Sequence, residues 1–198
     1  MKVLGLTGGI GMGKTTAARS FRARGVRVFD ADRVVHQLQA PGGRALGPIG
    51  AAFPGTVKDG RLDREALRAA VLGRPEALRR LEAILHPLVR QEQARFLARA
   101  RRDRQRLVVL DIPLLFETRC PRREFDAVLV VSCPAAVQRA RVLRRPGMTA
   151  ERLAAILARQ MPDAEKRRRA DIVIRTGLSR HLTDRAVRRI VRIWRDHA

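Results

Sequence analysis

An α/β fold built on a five-stranded parallel sheet is predicted by three features of the 198-residue sequence. Short apolar runs rich in β-branched residues alternate with longer stretches at helical spacing. Those runs are nearly continuous, not alternately polar, as strands covered on both faces require. A glycine-rich segment joins the first run to the first helical stretch, where a strand hands over to a helix.

The five strands are expected at residues 3–6, 26–29, 107–112, 127–131 and 172–174. Helical stretches at 14–24, 135–144 and 182–195 complete a βαβ pattern, whose crossover connections make neighbouring strands parallel. Residues 33–106 are too many for one crossover. They contain a Pro41-Gly42-Gly43 break and a Pro54-Gly55 turn, then Leu62, Leu67, Val71, Leu78, Leu81 and Leu85 at helical spacings. This reads as a mostly helical insertion beside the sheet, placed to cover an acceptor. His86-Pro87 is expected to end one helix and start another, with the proline in a first turn. After the fourth strand, Arg145-Pro146-Gly147-Met148-Thr149 breaks a helix before another at 151–160, the place for a small lid. One unit is expected, with a core of about 1–32, 107–144 and 163–198, the insertion at about 33–106 and the lid at about 145–162.

Composition bounds the function. Hydrophobic residues at 45% suffice for a packed core. No apolar run approaches the roughly 20 residues that span a bilayer, so no membrane association is expected. The first residues lack the pattern of a signal peptide. Cys120 and Cys133 stand far apart and form no CxxC pair, which argues against a disulfide framework or zinc site and suits the cytoplasm. The net charge of +23 invites a polyanionic partner. Yet the arginines are spread through every helical stretch, aromatic residues make up only 4%, and there is no Tyr to build a stacking platform. No nucleic-acid partner is therefore expected, and an arginine-favouring composition accounts for the charge.

Gly8-Gly9-Ile10-Gly11-Met12-Gly13-Lys14-Thr15 matches the P-loop pattern G-x-x-x-x-G-K-[ST] throughout. Its glycines let the backbone wrap phosphates and present successive N–H groups, and the helix that follows adds its partial positive charge. Lys14 supplies a mobile ammonium for the β- and γ-phosphates, and Thr15 a hydroxyl for Mg²⁺. ATP and Mg²⁺ are the expected cofactors, held by Gly8, Gly9, Gly11, Met12, Gly13, Lys14, Thr15 and Thr16.

Asp30-Ala31-Asp32 follows the second strand, at the sheet end that faces the ligand crevice. A carboxylate there suits a base that takes the proton of an attacking hydroxyl, and equally a helix cap. The two aspartates share a side if the segment is extended. Asp111, ending the third strand, suits either a Walker-B-like role toward Mg²⁺ or a strand-end cap. Arg141, Arg144, Arg145 and Arg159 are candidate phosphate clamps around the lid. His86 with Arg90 one turn later suits an anionic substrate, against the alternative of a packed or capping histidine. His36, His181 and His197 show no partner pattern.

These motifs together resemble the dephospho-CoA kinase family over nearly the whole chain. The resemblance rests on Leu6 through Thr16, Asp30-Ala31-Asp32, Leu85-His86-Pro87, Pro113-Leu114-Leu115-Phe116-Glu117, Gln160-Met161-Pro162 and Ala170-Asp171-Ile172-Val173-Ile174, in that order. It implies a P-loop NTPase-type three-layer fold and transfer of the γ-phosphate of ATP to the ribose 3′-hydroxyl of dephospho-CoA, yielding coenzyme A. It further implies Asp32 as base, Arg141 near the phosphates, and dephospho-CoA against the helical insertion. The chain departs from the family pattern at Met12, where Ser is common, at Arg145-Pro146, and at Arg175-Thr176, where an Asn usually precedes the glycine. The rival readings are a P-loop kinase with another small acceptor, a nucleic-acid-dependent NTPase, and an ATP switch without transferase activity.

Overall fold

The computed structural model describes residues 1–117 and 122–196, so Cys120 and His197 lie outside the described residues. In chain order the elements are β1 (Lys2–Thr7), α1 (Lys14–Arg22), β2 (Arg27–Asp30), α2 (Ala31–Leu38), α3 (Leu46–Ala52), β3 (Val57–Lys58), β4 (Arg61–Leu62), α4 (Arg64–Val71) and α5 (Pro75–Arg102). There follow β5 (Leu107–Asp111), a 3-10 turn (Arg122–Glu124), β6 (Ala127–Ser132), α6 (Ala135–Leu143), α7 (Ala150–Leu157), α8 (Asp163–Arg169), β7 (Ile172–Arg175) and α9 (Arg180–Asp196). The chain divides into two compact units, Met1–Phe29 with Ala100–Ala198, and Asp30–Arg99. Among the described residues, no helix is long and apolar enough to cross a membrane.

The first unit is organised by a five-stranded parallel sheet in the order β2-β5-β1-β6-β7. All five expected strands form, each within one residue of its expected ends. Leu4, Leu6, Leu107, Val109, Leu129, Val131 and Ile174 turn to one face, against Ala17 and Phe21 of α1 and Val187 and Ile190 of α9. The alternate residues Val3, Val108, Leu110, Val128 and Val130 are buried as well. Both faces being covered is the physical reason why the strand sequences carry no polar alternation. Asp184 ties the two helices of the first face together, accepting from Ser20 Oγ at 2.7 Å and from Arg24 at 2.5 Å.

The second unit packs Leu38, Ile49, Phe53 and Leu67 against Leu81, Ile84, Leu85, Leu88 and Val89 of α5. Two features differ from expectation. A small antiparallel hairpin, β3 with β4, interrupts the helices, turning at Asp59 and Gly60 with φ of 49° and 69°. Asp-Gly is a strong two-residue hairpin signal, because both central residues of such a turn need positive φ. His86-Pro87 does not divide two helices: α5 runs on through Pro87. A helix-interior proline forfeits one backbone hydrogen bond and costs about 3 kcal/mol. Here Leu81, Ile84 and Leu85 before it and Leu88 and Val89 after it are held on one core, so both halves stay in line.

The two aspartates after β2 also separate in role. Asp30 is extended and caps α2, accepting from the Arg33 N–H at 3.0 Å. Asp32 lies inside the first helical turn and is exposed, so the pair does not share an extended side.

Two carboxylates lock the strand starts. Asp126 Oδ2 accepts from the Val3 N–H at 2.8 Å, and Asp171 Oδ2 from the Val128 N–H at 2.6 Å. Partial burial by itself would raise both carboxyls, but the strand N–H groups, with Lys2 at Asp126 and Arg122 at Asp171, outweigh it and hold both below the ordinary carboxylate range. A carboxyl held lower in the folded chain than its unfolded value of about 3.9 stabilises the fold in full above that pH. The contribution is lost as pH falls through the folded value. The thermal midpoint should therefore drop as pH is lowered below about 4, and Asp171→Asn should flatten that drop while lowering the midpoint at pH 7. Calorimetric scans of both proteins between pH 7 and pH 3 check this.

Candidate active site

The central strand β1 delivers the chain into the glycine-rich loop and α1 takes it out, which is why the loop must reverse tightly. Gly11 and Gly13 have φ of 74° and 91°, conformations that side-chain-bearing residues rarely adopt, and the Met12 N–H closes the turn on Gly9 O at 3.2 Å. Two side chains from other elements seize the loop's carbonyls. Gln138 of α6 donates to Ile10 O at 2.8 Å, and Thr176, just past β7, donates through Oγ1 to Met12 O at 2.5 Å. In a planar trans peptide the N–H points opposite to the C=O. The N–H groups of Gly11 and Gly13 are thereby turned away from Gln138 and Thr176. Among the described residues, no group accepts from the N–H of Gly11, Gly13, Lys14 or Thr15. Four donors at the positive end of a helix are left for an anion, the arrangement that binds phosphate.

Charges surround this cradle. Lys14 Nζ lies 2.6 Å from Asp111 Oδ1, and that carboxylate is only 4% exposed. Asp111 is thus the partner of the loop lysine and not merely a strand-end cap. Arg141 is half-buried and donates to Thr176 O at 2.7 Å, so its guanidinium is fixed beside the residue that holds Met12. Met12 turns its side chain into the core, where its sulfur accepts from the Cys133 N–H at 3.2 Å. That side chain leaves the backbone donors untouched. Burial pushes the Cys133 thiol up, against the opposing effect of the Arg141 charge.

The structure therefore joins Gly8–Thr16, Lys14, Asp111 and Arg141 at one end of the sheet of the first unit. Thr15 is exposed and Thr16 half-buried at the start of α1; Arg144, Arg145 and Arg159 are exposed. Asp32, His86 and Arg90 belong to the second unit. His86 and Arg90 are both exposed, one turn apart on α5, so His86 is not a packed histidine. His36 does have a partner: its Nδ1 meets Arg64 at 2.9 Å.

The family model described as dephospho-CoA kinase matches residues 2–180. The chain belongs to the dephospho-CoA kinase family. It is 63% identical over 167 residues to the dephospho-CoA kinase of Paramagnetospirillum magneticum, covering 84% of this chain and 78% of that one. It is 52% identical to the dephospho-CoA kinase of Rhizobium meliloti, covering 96% and 97% of the two chains. The solved structure of TT1252 from Thermus thermophilus superposes with a TM-score of 0.85 at 35% identity, covering 97% of each chain. Membership makes the chain an ATP-dependent kinase of coenzyme A biosynthesis, acting on a hydroxyl.

For this dephospho-CoA kinase family member, sequence reasoning passed over Thr176 and Gln138 as parts of the site. Thr176 serves the loop backbone from inside the fold, only 4% exposed. The one sequence signal was a hydroxyl just beyond the last strand, on the side where the loop emerges. Thr176→Val removes the donor but little volume and leaves the Met12 carbonyl unpaired, which costs about 1–3 kcal/mol when the group is buried. Denaturant unfolding should show that loss, and steady-state kinetics should show a raised KM for ATP.

Proposed function

We propose that ATP lies with its phosphates in the cradle of Gly8, Gly9, Gly11, Met12, Gly13, Lys14, Thr15 and Thr16, and that its γ-phosphate passes to the ribose 3′-hydroxyl of dephospho-CoA. The observation that carries this reading is the set of four unbonded N–H donors beside Lys14. When the phosphates enter, Lys14 exchanges Asp111 for the β- and γ-phosphate oxygens, and Arg141 offsets charge on the transferring group. Asp32 takes the proton of the 3′-hydroxyl. Two facts support Asp32 over Asp30: the cap is already made by Asp30, and Asp32 keeps an exposed carboxylate. His86 and Arg90, exposed on one face of α5, are proposed to bind the acceptor within an insertion of about residues 33–106 that holds dephospho-CoA, with residues 145–162 as the lid. The exposed Thr15 hydroxyl and the Asp111 carboxylate suit Mg²⁺, which bound there would supply charge neutralisation for the phosphates. We place the enzyme in the cytoplasm, where a free thiol such as Cys133 stays reduced; the distributed positive charge is assigned no nucleic-acid partner.

An ADP-release assay with dephospho-CoA set against a panel of nucleosides and sugars tests the acceptor, and absence of turnover with dephospho-CoA rejects it. In the same assay Lys14→Ala should lose about 100-fold or more in turnover, as removal of a transition-state donor does. Asp32→Asn should lose about 100- to 10,000-fold in kcat, the range for a general base, with ATP binding and the thermal midpoint near those of the parent. An Asp32→Asn protein that keeps its kcat would return the residue to a local role in α2.

A further inference from the structure

Ile10 is the one loop residue whose N–H and C=O are both taken by distant side chains among the described residues. Its C=O accepts from Gln138, and its N–H donates to Gln160 Oε1 at 3.1 Å. Gln160 stands between α7 and α8, one residue after the exposed Arg159. The turn that carries it is anchored in turn. The Met161 N–H donates to Glu117 Oε1 at 2.9 Å, and the same oxygen lies 2.7 Å from Lys166 Nζ of α8, an ammonium 1% exposed. That contact is an ion pair out of line for a hydrogen bond, and Glu117 Oε2 finds no hydrogen-bond donor among the described residues. Glu117 itself lies six residues past Asp111, the partner of Lys14. So the last residue of β5 holds the loop lysine, and the segment that follows it holds the turn that holds the loop's tip. A buried ion pair is weak evidence for stability, because removing two charges from water costs as much as their attraction returns. What the pair does fix is the Met161 turn, through the oxygen shared by the Met161 N–H and the Lys166 ammonium.

We propose that Gln160 is a positioning residue for ATP, fixing the Ile10 peptide of the cradle before the nucleotide arrives, and that Glu117 paired with Lys166 fixes Gln160. This deepens the phosphate-cradle reading and rests on it. A loop ordered in advance spares the nucleotide the entropy of ordering it, so the gain is in ATP affinity. Gln160 touches none of the reacting atoms. Because α7 leads directly into Gln160, the same hydrogen bond fixes the start of the cradle relative to the segment bearing Arg144, Arg145 and Arg159.

Titration calorimetry of Mg-ATP, with no acceptor present, measures the effect independently of what the acceptor is. Gln160→Leu should weaken ATP binding about tenfold, raise the KM for ATP in parallel and leave the KM for the acceptor within about twofold. One neutral hydrogen bond corresponds to about a factor of ten at most. A folded Gln160→Leu that binds ATP within twofold of the parent overturns the proposal. Two double variants remove the buried ion pair equally and differ only in the acceptor offered to the Met161 N–H. Glu117→Gln with Lys166→Met keeps that acceptor, and Glu117→Leu with Lys166→Met lacks it. Their thermal midpoints report stability, and their ATP affinities should differ about fivefold in favour of the glutamine version. Equal affinities would leave Glu117 a purely structural residue and sink its part in the proposal. Loss of ADP release with dephospho-CoA in the parent protein, with these ATP affinities intact, would count against the acceptor alone.

Discussion

The site depends on carbonyl oxygens being held outward so that N–H groups are left inward. A loop of glycines has no preference of its own for the cradle conformation; it pays maximal backbone entropy to adopt any one. Gln138 on Ile10, Thr176 on Met12 and Gln160 on the other side of Ile10 supply the missing preference. Each comes from a different element: α6, the end of β7, and the turn before α8. The parallel sheet is what makes this possible. With β1 between β5 and β6, the loop leaves the middle of the sheet, where Asp111 at the end of β5 meets Lys14 and Thr176 just past β7 reaches the Met12 carbonyl.

The same arrangement explains the place of the charges. Asp111 stands at the last position of β5, opposite Leu6 in register, and there its carboxylate meets Lys14. That carboxylate is the counter-charge of the lysine. Arg141 is anchored through a backbone carbonyl, and among the described residues no carboxylate forms an ion pair with it. On the proposed reading, the two cations serve the phosphates differently, Lys14 by exchanging its carboxylate and Arg141 from a fixed position.

Much of the fold was legible in the sequence, and for a specific reason. Strands buried on both faces are nearly continuous apolar runs, so residues 107–110 and 127–131 announce themselves with no need of alternation. The β3–β4 hairpin was hidden because its strands are two residues long, too short for any periodicity, although Asp59-Gly60 carried the turn chemistry. Pro87 misled because a local rule, the helix-breaking proline, was overruled by packing on both sides of it. In the site, the loop and Lys14 were legible because their chemistry demands particular residue types. Gln138 and Gln160 had no such signature. A side chain that donates to or accepts from a backbone carbonyl or amide across 128 or 150 positions of sequence can be any of several polar types, and only the fold tells which one arrives.

The imbalance of 42 basic against 19 acidic side chains sharpens what the carboxylates do. With so few, an acid spent on a surface pair adds little, since exposed pairs contribute about 0–1 kcal/mol. Several are instead tied to backbone or to buried partners. Asp126 and Asp171 hold strand N–H groups, Asp30 and Asp63 cap α2 and α4, Asp184 joins α1 to α9, and Glu117 holds the Met161 turn. Each of these acts by accepting from a fixed donor, which a protonated carboxyl does less well. Asp32 stands outside that group: no hydrogen bond or ion pair engages its side chain among the described residues, in a chain where acids are scarce and cations plentiful. An exposed carboxylate with no such partner on the first turn of α2 is what the proposed role of Asp32 as base requires.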